Sequence, residues 1–371
     1  MSDHAQLHQQ LIDTLTAGGS LRTEPWKRAA VAVPRHEFLR GGVFRRVEGT
    51  AGAWAPLLEG EPGWLEACYE DESLVTQIAG TIVPADIRGQ IMRAPTSSST
   101  LPSLVLRMLE ALQAEDGMRV LEIGTGTGYS TALLCHALGE ENVTSIEYDE
   151  DVAARAAAAL GRIGLYPRLV TGDGLLGHAE GAPYDRVIAT CGVRTVPSAW
   201  IEQTRPGGLI LATVGGWLAA SELARLTVHE DGSASGPLLG GQVSFMLARP
   251  HLPPPLGLLP DLSAGKEREA IIGADILNDW TARFVAESAV PCAQRLTLQQ
   301  NEREEHVLID VECGAWAALC EEGGHWTVRQ DGPESLWDTA EEQLGRWKAA
   351  GSPGLEEFTL HVSPEGHSYL R

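Results

Sequence analysis

Met118-Arg119-Val120-Leu121-Glu122-Ile123 runs directly into Gly124-Thr125-Gly126-Thr127-Gly128, and a helical stretch from Tyr129 to Leu138 begins at once. A short apolar strand, a glycine turn and a helix in that order open a βαβ unit. The glycines permit a tight turn and let a ligand approach the backbone without a Cβ in the way. The helix start adds N–H donors that have no partner within the helix. A P-loop needs a lysine after the glycines, and a dinucleotide fingerprint needs GxGxxG where this segment is GxGxG. On this segment alone, a glycine turn with no ligand stays open.

The neighbouring segments narrow the choice. A second strand, Asn142 to Ile146, ends in Glu147, where a carboxylate can accept hydrogen bonds from both hydroxyls of a ribose. Asp149, Glu150 and Asp151 read as solvated acids of the following turn. A third strand, Arg168 to Val170, ends at Gly172-Asp173-Gly174, where an Asp between glycines can accept from an adenine amino group. Tyr184 to Thr190 and Leu209 to Val214 read as further strands, the second preceded by Arg205-Pro206-Gly207-Gly208. Ligands of open parallel sheets bind at the carboxyl edge where these segments end. The ordered set points to a nucleoside ligand; each element alone is weak.

The chain divides into three zones. Residues 1 to about 115 read as a mainly helical lead-in with irregular connections, packed on the catalytic part. Residues 116 to 250 carry the alternating strands and helices. His251-Leu252-Pro253-Pro254-Pro255 is a stiff linker, and residues 256–371 read as a smaller α+β domain. In that last zone His306–Val311, Trp326–Gln330 and Phe358–Val362 read as strands. Ser335–Ala350 reads as a helix, with Leu336, Ala340, Leu344 and Trp347 on one face.

Composition excludes several classes. With 43% apolar and 21% charged residues over 371 positions, the chain is globular rather than disordered or fibrous. No apolar run approaches the ~20 residues of a membrane span, and Met1-Ser2-Asp3-His4-Ala5-Gln6 lacks a secretory pattern, so a cytoplasmic protein is expected. Lys plus Arg number 28 against 50 Asp plus Glu, a net charge of -22 that disfavours nucleic-acid partners. The six cysteines are far apart and unpaired in pattern, so free, mostly buried thiols and no metal site are expected.

Together the segments resemble the class I methyltransferases, and more narrowly the protein-L-isoaspartate O-methyltransferases. Val120 to Ala132 is close to that family's first motif. Ala32-Val33-Pro34-Arg35-His36-Glu37-Phe38 is similar to its "VPR-x-x-F" segment, and Cys68-Tyr69-Glu70-Asp71-Glu72 to its "AYEDE" stretch. Ser98-Ser99-Thr100-Leu101-Pro102 stands where the family has its "TISQP" substrate loop, before the helix Ser103 to Leu112. Thr100 keeps the hydroxyl of the family's serine, whereas Leu101 replaces its glutamine.

The resemblance implies a Rossmann-like parallel sheet and an S-adenosylmethionine-dependent carboxyl O-methyltransferase, with S-adenosylhomocysteine as product. It implies a cofactor site at Glu122, Gly124, Thr125, Gly126, Gly128, Tyr129, Glu147, Tyr148, Gly172, Asp173 and Gly174. Thr100 is expected to orient the acceptor, with Ser98 and Ser99 beside it, while Ser97 belongs to a plain flexible loop. Arg88, Arg93 and Pro102 are expected at the acceptor's approach, and His36 and His178 to be structural or solvent-facing. The departures at Thr100 and Leu101, the long irregular stretch between Pro34-Arg35 and Tyr69-Glu70, and a carboxyl-terminal domain of this size together look like the methyltransferases of ribosomally made peptides, especially graspetide and some lanthipeptide systems. That implies an Asp of a precursor peptide as acceptor, its methyl ester closing to an aspartimide. The alternative is repair of isoaspartate in damaged proteins.

Overall fold

The computed structural model describes residues 3–50, 52–300, 303–363 and 366–370; Met1, Ser2 and Arg371 lie outside them. The chain forms two compact units: residues 1–190, 197–211 and 225–234, and residues 191–196, 212–224 and 235–371. The boundary does not fall at the proline run. Several long strands contribute residues to both units.

In the first unit the central strands are short and apolar because both faces are covered. Val120–Ile123 is buried at all four positions and pairs in parallel with Val143–Glu147 and Tyr184–Val193. Arg168–Thr171 pairs in parallel with Val143–Glu147. Thr204–Gly215 and Ser221–Val228 follow next to Tyr184–Val193 in the strand order. Helix Tyr129–Leu138 starts at Gly128, whose φ of 89° is the left-handed conformation that glycine adopts without strain. A Cβ there would sit 3.4 Å from Leu160 and 3.5 Å from Ala156, so this glycine also brings helix Glu150–Arg162 close. Asp149 caps that helix, its side chain accepting from the amides of Asp151 and Val152.

The lead-in is helical, with Trp64–Cys68 among its helices, but its connections are not all irregular. Besides helices Asp3–Ala17, Glu24–Ala32 and Pro102–Leu112, it holds a four-stranded antiparallel sheet in the order Trp54–Leu57, Val43–Arg46, Leu74–Ile78, Pro95–Ser99. These strands are four or five residues long and separated by glycine turns, so no period-2 pattern runs far enough to be read. Pro95–Ser99 pairs with Leu74–Ile78, which makes Ser97 part of a sheet rather than of a flexible loop.

The second unit contains a five-stranded antiparallel sheet in the order Lys266–Glu269, His325–Asp331, Ala315–Glu322, Arg303–Asp310, Gln294–Gln300. Alternation along Ala315–Glu322 sends Ala317 and Leu319 to one core and Trp316 and Ala318 to another. Helices Trp280–Ala289 and Leu336–Ala349 fill the first core through Val285, Trp337 and Leu344. Leu256 and Leu262, just beyond the prolines, pack against the second. The expected strands and helix of this region are present within three residues at either end, and Gln294–Gln300, Ala315–Glu322 and helix Trp280–Ala289 add to them. Glu287 is buried here, and burial pushes its carboxyl up to about 7 although the amides of Gly216 and Leu218 donate to it.

All six cysteines are free, but only Cys68 and Cys135 are buried and Cys313 is exposed. Asp310, Cys313 and Glu334 bring possible ligand atoms within 4.8 Å of one another, a proximity that sequence spacing did not show. One Asp310 oxygen already accepts from the amides of Glu312 and Cys313. Among the described residues no helix is long and apolar enough to cross a membrane.

Candidate active site

The glycine turn is held from behind by side chains that never reach the surface. Glu122, with 0% exposure, accepts from Ser130 and Thr131 at 2.5 Å and from Ser145 at 2.7 Å. Burial raises its pKa, and these three hydroxyls oppose the rise by favouring the ionised form. The Thr125 hydroxyl bonds to Ser145 at 2.7 Å. Tyr129 is buried against Phe38, with ring centroids 5.8 Å apart. The side chains of Glu122, Thr125 and Tyr129, all expected at the cofactor, are turned into the protein. They clamp strand, turn and helix together, because a buried polar group must find its partners inside the protein.

Gly124 and Gly126 have φ of 94° and 56°, and the Gly124 amide donates to Ile146. The Gly126 amide donates to a Glu147 oxygen at 2.8 Å, while the other oxygen accepts from the Asp149 amide at 3.1 Å. Each carboxylate oxygen retains room for a further donor. Partial burial raises the Glu147 pKa, and the two amide donors oppose the rise. Tyr148, next along, is half exposed.

At the end of the third strand, one Asp173 oxygen accepts from the Leu175 amide at 2.9 Å and caps the turn 174–176. A Cβ on Gly172 would meet nothing within 4 Å, which leaves open space beside Asp173. A Cβ on Gly174 would fall 2.5 Å from Ile123 Cγ2, so that glycine serves packing. Its carbonyl accepts from the Trp200 indole at 2.8 Å. Turn, Glu147 and Asp173 thus lie along the carboxyl edge of three adjacent strands, a surface suited to a nucleoside.

The segment expected to orient the acceptor is held by Arg35, a residue whose place in a motif gave no hint of its task. Its guanidinium has 0% exposure and donates to the carbonyls of Cys68, Glu70, Glu72, Ser99 and Thr100 at 2.8 to 3.3 Å. Asp71 accepts from the Ser103 amide at 2.8 Å, at the start of helix Pro102–Leu112, and Ser73 accepts from the Leu101 amide at 3.0 Å. Tyr69 bonds to His36 at 2.6 Å, and burial lowers the His36 pKa, keeping that ring neutral at pH 7. His178 lies 3.2 Å from Arg168, so both histidines have structural partners.

Within the segment the strand pattern sorts the hydroxyls. Ser97 and Ser99 are buried and Ser98 is half-buried, with Thr100 half-buried after the strand. Ser99 Oγ is enclosed and has no hydrogen-bond partner among the described residues. Pro102 is buried in the first turn of its helix, so it supports the segment from inside. Arg88 and Arg93 are exposed. A Cβ on Gly126 would stand 3.6 Å from the Ser98 carbonyl, which places the acceptor segment directly against the glycine turn.

Known proteins share this arrangement. Residues 74–241 match the family described as Protein-L-isoaspartate(D-aspartate) O-methyltransferase. A protein-L-isoaspartate O-methyltransferase of Thermococcus sibiricus is 30% identical over 253 residues, 67% of this chain and 97% of that protein. One from Anaeromyxobacter dehalogenans is 47% identical over 116 residues, 31% of this chain and 54% of its own length. A solved protein-L-isoaspartate O-methyltransferase structure covers 98% of this chain and 99% of its own, with a TM-score of 0.57 and 22% identity. A chain of similar fold thus occurs under that name. The chain belongs to the protein-L-isoaspartate O-methyltransferase family, S-adenosylmethionine-dependent carboxyl O-methyltransferases of the class I fold.

Proposed function

We propose that this protein methylates the free carboxylate of an isoaspartyl residue in a peptide or protein, with S-adenosylmethionine as donor. The observation that supports the reading is the closeness of the Ser98 carbonyl to Gly126, 3.6 Å from where a Cβ on that glycine would stand, which sets the hydroxyl segment beside the glycine turn. Residues that fit the donor are Glu147, for the ribose hydroxyls, and Asp173 with open Gly172, for the adenine. Gly124 and Gly126 leave the turn's backbone accessible.

The donor supplies a methyl on a sulfonium: the O–C bond forms as the C–S bond breaks, and a neutral thioether leaves. The acceptor is ionised at neutral pH, because the free carboxylate of an isoaspartyl residue is an α-carboxyl, with an unperturbed pKa of about 3.3–3.7. No proton need be moved, which agrees with histidines occupied elsewhere. The protein's task is alignment and exclusion of water, and alignment can be worth effective molarities of about 10⁵ M. Thr100 orients the acceptor through its hydroxyl, with Ser98 beside it; Ser99 faces inward and supports them. Arg88 and Arg93 serve the approach of an acidic acceptor.

Thr100→Ala is expected to lower kcat by about 10² without changing S-adenosylhomocysteine affinity. Steady-state kinetics beside calorimetry would check it, and unchanged turnover removes Thr100 from the mechanism. The reading itself is tested by incubating the protein with S-adenosylmethionine and an isoaspartyl peptide, then measuring methyl ester by mass. Absence of ester on a protein that still takes up S-adenosylhomocysteine overturns it. A second reading, an ordinary Asp in a ribosomal precursor peptide, draws on Leu101, which replaces the family's glutamine. An Asp-containing cyclic peptide methylated in preference to the isoaspartyl one would move it to first place.

A further inference from the structure

A cleft of about 280 Å³ in the first unit continues from the glycine turn, lined by Gly126 and Ser97 and by the apolar Phe38. Three of its lining residues are arginines: Arg40, Arg155 and Arg162. That is a concentration of positive charge in a chain of net charge -22. Glu37 organises two of them. Its carboxylate accepts from Arg40 at 2.8 Å and from Arg162 Nε at 3.2 Å, and its carbonyl also accepts from Arg162. One carboxylate so holds two guanidiniums in fixed positions while cancelling one charge of the pair. Glu59, 3.9 Å from Arg40, screens part of the remainder. Arg155 is exposed and makes no ion pair or hydrogen bond among the described residues.

We propose that this cleft is a specificity subsite for an acidic side chain near the methyl-accepting residue, with Arg155 as its recognising cation. The inference rests on the acceptor being a peptide or protein carboxylate, as above. An acidic enzyme repels an acidic substrate over long range, so a local cationic cleft must supply the attraction. Gly126 and Ser97 belong to the glycine turn and to the strand that bears Ser98, so the cleft lies next to both. The apolar Phe38 accommodates the methylene stem of a Glu or the neighbouring backbone. The ligand class is a carboxylate on a short apolar stem.

The test compares two isoaspartyl peptides that differ only in carrying Glu or Gln at each position flanking the acceptor, scanned two residues either way. The protein is expected to favour a Glu peptide at one position by about fivefold in kcat/KM at low salt, with the preference shrinking as salt rises. Arg155→Glu should reverse that ratio, while S-adenosylhomocysteine affinity by calorimetry stays the same. Arg155 is exposed on a helix, so its replacement leaves the fold intact. A ratio of one at every position, or a preference that survives Arg155→Glu, overturns the subsite. Weakened S-adenosylhomocysteine binding in the variant also overturns it, because the cleft would then belong to the cofactor. Absence of methylation on every peptide instead defeats the underlying reading of the acceptor.

Discussion

Arg35→Ala is expected to destabilise the first unit by about 3–5 kcal/mol, since hydrogen bonds to a charged group are worth about 1.5–3 kcal/mol each and buried carbonyls left without a donor add to the loss. Five carbonyls lose their donor at once, from Cys68 through Thr100, and water cannot reach all of them. Thermal unfolding followed by circular dichroism reads the loss. Arg35→Lys is expected to recover only part of it. A single ammonium has three donors and no planar fork, and so cannot reach two separate groups of carbonyls. Turnover should fall further than stability alone explains at temperatures where the variant is folded, since Ser99 and Thr100 lose their anchor. A variant with a wild-type melting temperature would show that the segment is held by other means.

Glu147→Ala should lower S-adenosylhomocysteine affinity by about 10²-fold or more. Two hydrogen bonds to an ionised acceptor are worth about 1.5–3 kcal/mol each, and the amides of Gly126 and Asp149 lose their partner as well. Calorimetry measures this directly, and full affinity would dismiss Glu147 as the ribose acceptor. The same residue sets a pH dependence. Burial holds its carboxyl above the ordinary carboxylate range, so the ionised form is lost at a higher pH than for a free Glu.

Affinity for S-adenosylhomocysteine should therefore fall as pH falls through that raised value, and Glu147→Gln should flatten the decline. For the ligand-free protein the sign is opposite. A carboxyl whose pKa is raised on folding favours the folded state below its unfolded value, and that contribution disappears as pH rises through the folded one. Ligand-induced stabilisation, measured as a shift in melting temperature, should thus grow from mildly acid to neutral pH.

The catalytic unit was legible because its signals are local. The strand Val120–Ile123, the glycine turn and the acids at the strand ends are each specified by a few consecutive residues, and parallel strands covered on both faces are apolar throughout. The helix from Tyr129 to Leu138 has the bounds that its glycine start implies. The antiparallel sheet of the lead-in was not legible. Trp54–Leu57 is partly exposed at every position, and Pro95–Ser99 buries Ser97 and Ser99 yet carries four hydroxyl residues, so neither shows an alternating apolar face in its sequence. Their pairing depends on partners up to some forty residues away.

Within the site, the order of Glu147, Gly172 and Asp173 along the chain was enough to propose a nucleoside edge. It was not enough to separate ligand-facing residues from supporting ones. Glu122, Thr125 and Tyr129 sit in the same motif as Gly124 and Gly126, but strand alternation and helix packing turn them inward. Residue types and spacing determined the strand–turn–helix unit, because backbone conformation at glycines and apolar runs is a property of the residues themselves. Only the tertiary structure decided that Arg35 anchors the acceptor segment, that Ser99 faces inward, and that Arg40, Arg155 and Arg162 share one cleft. These depend on which distant carbonyls and charges are left facing one another once the core has closed.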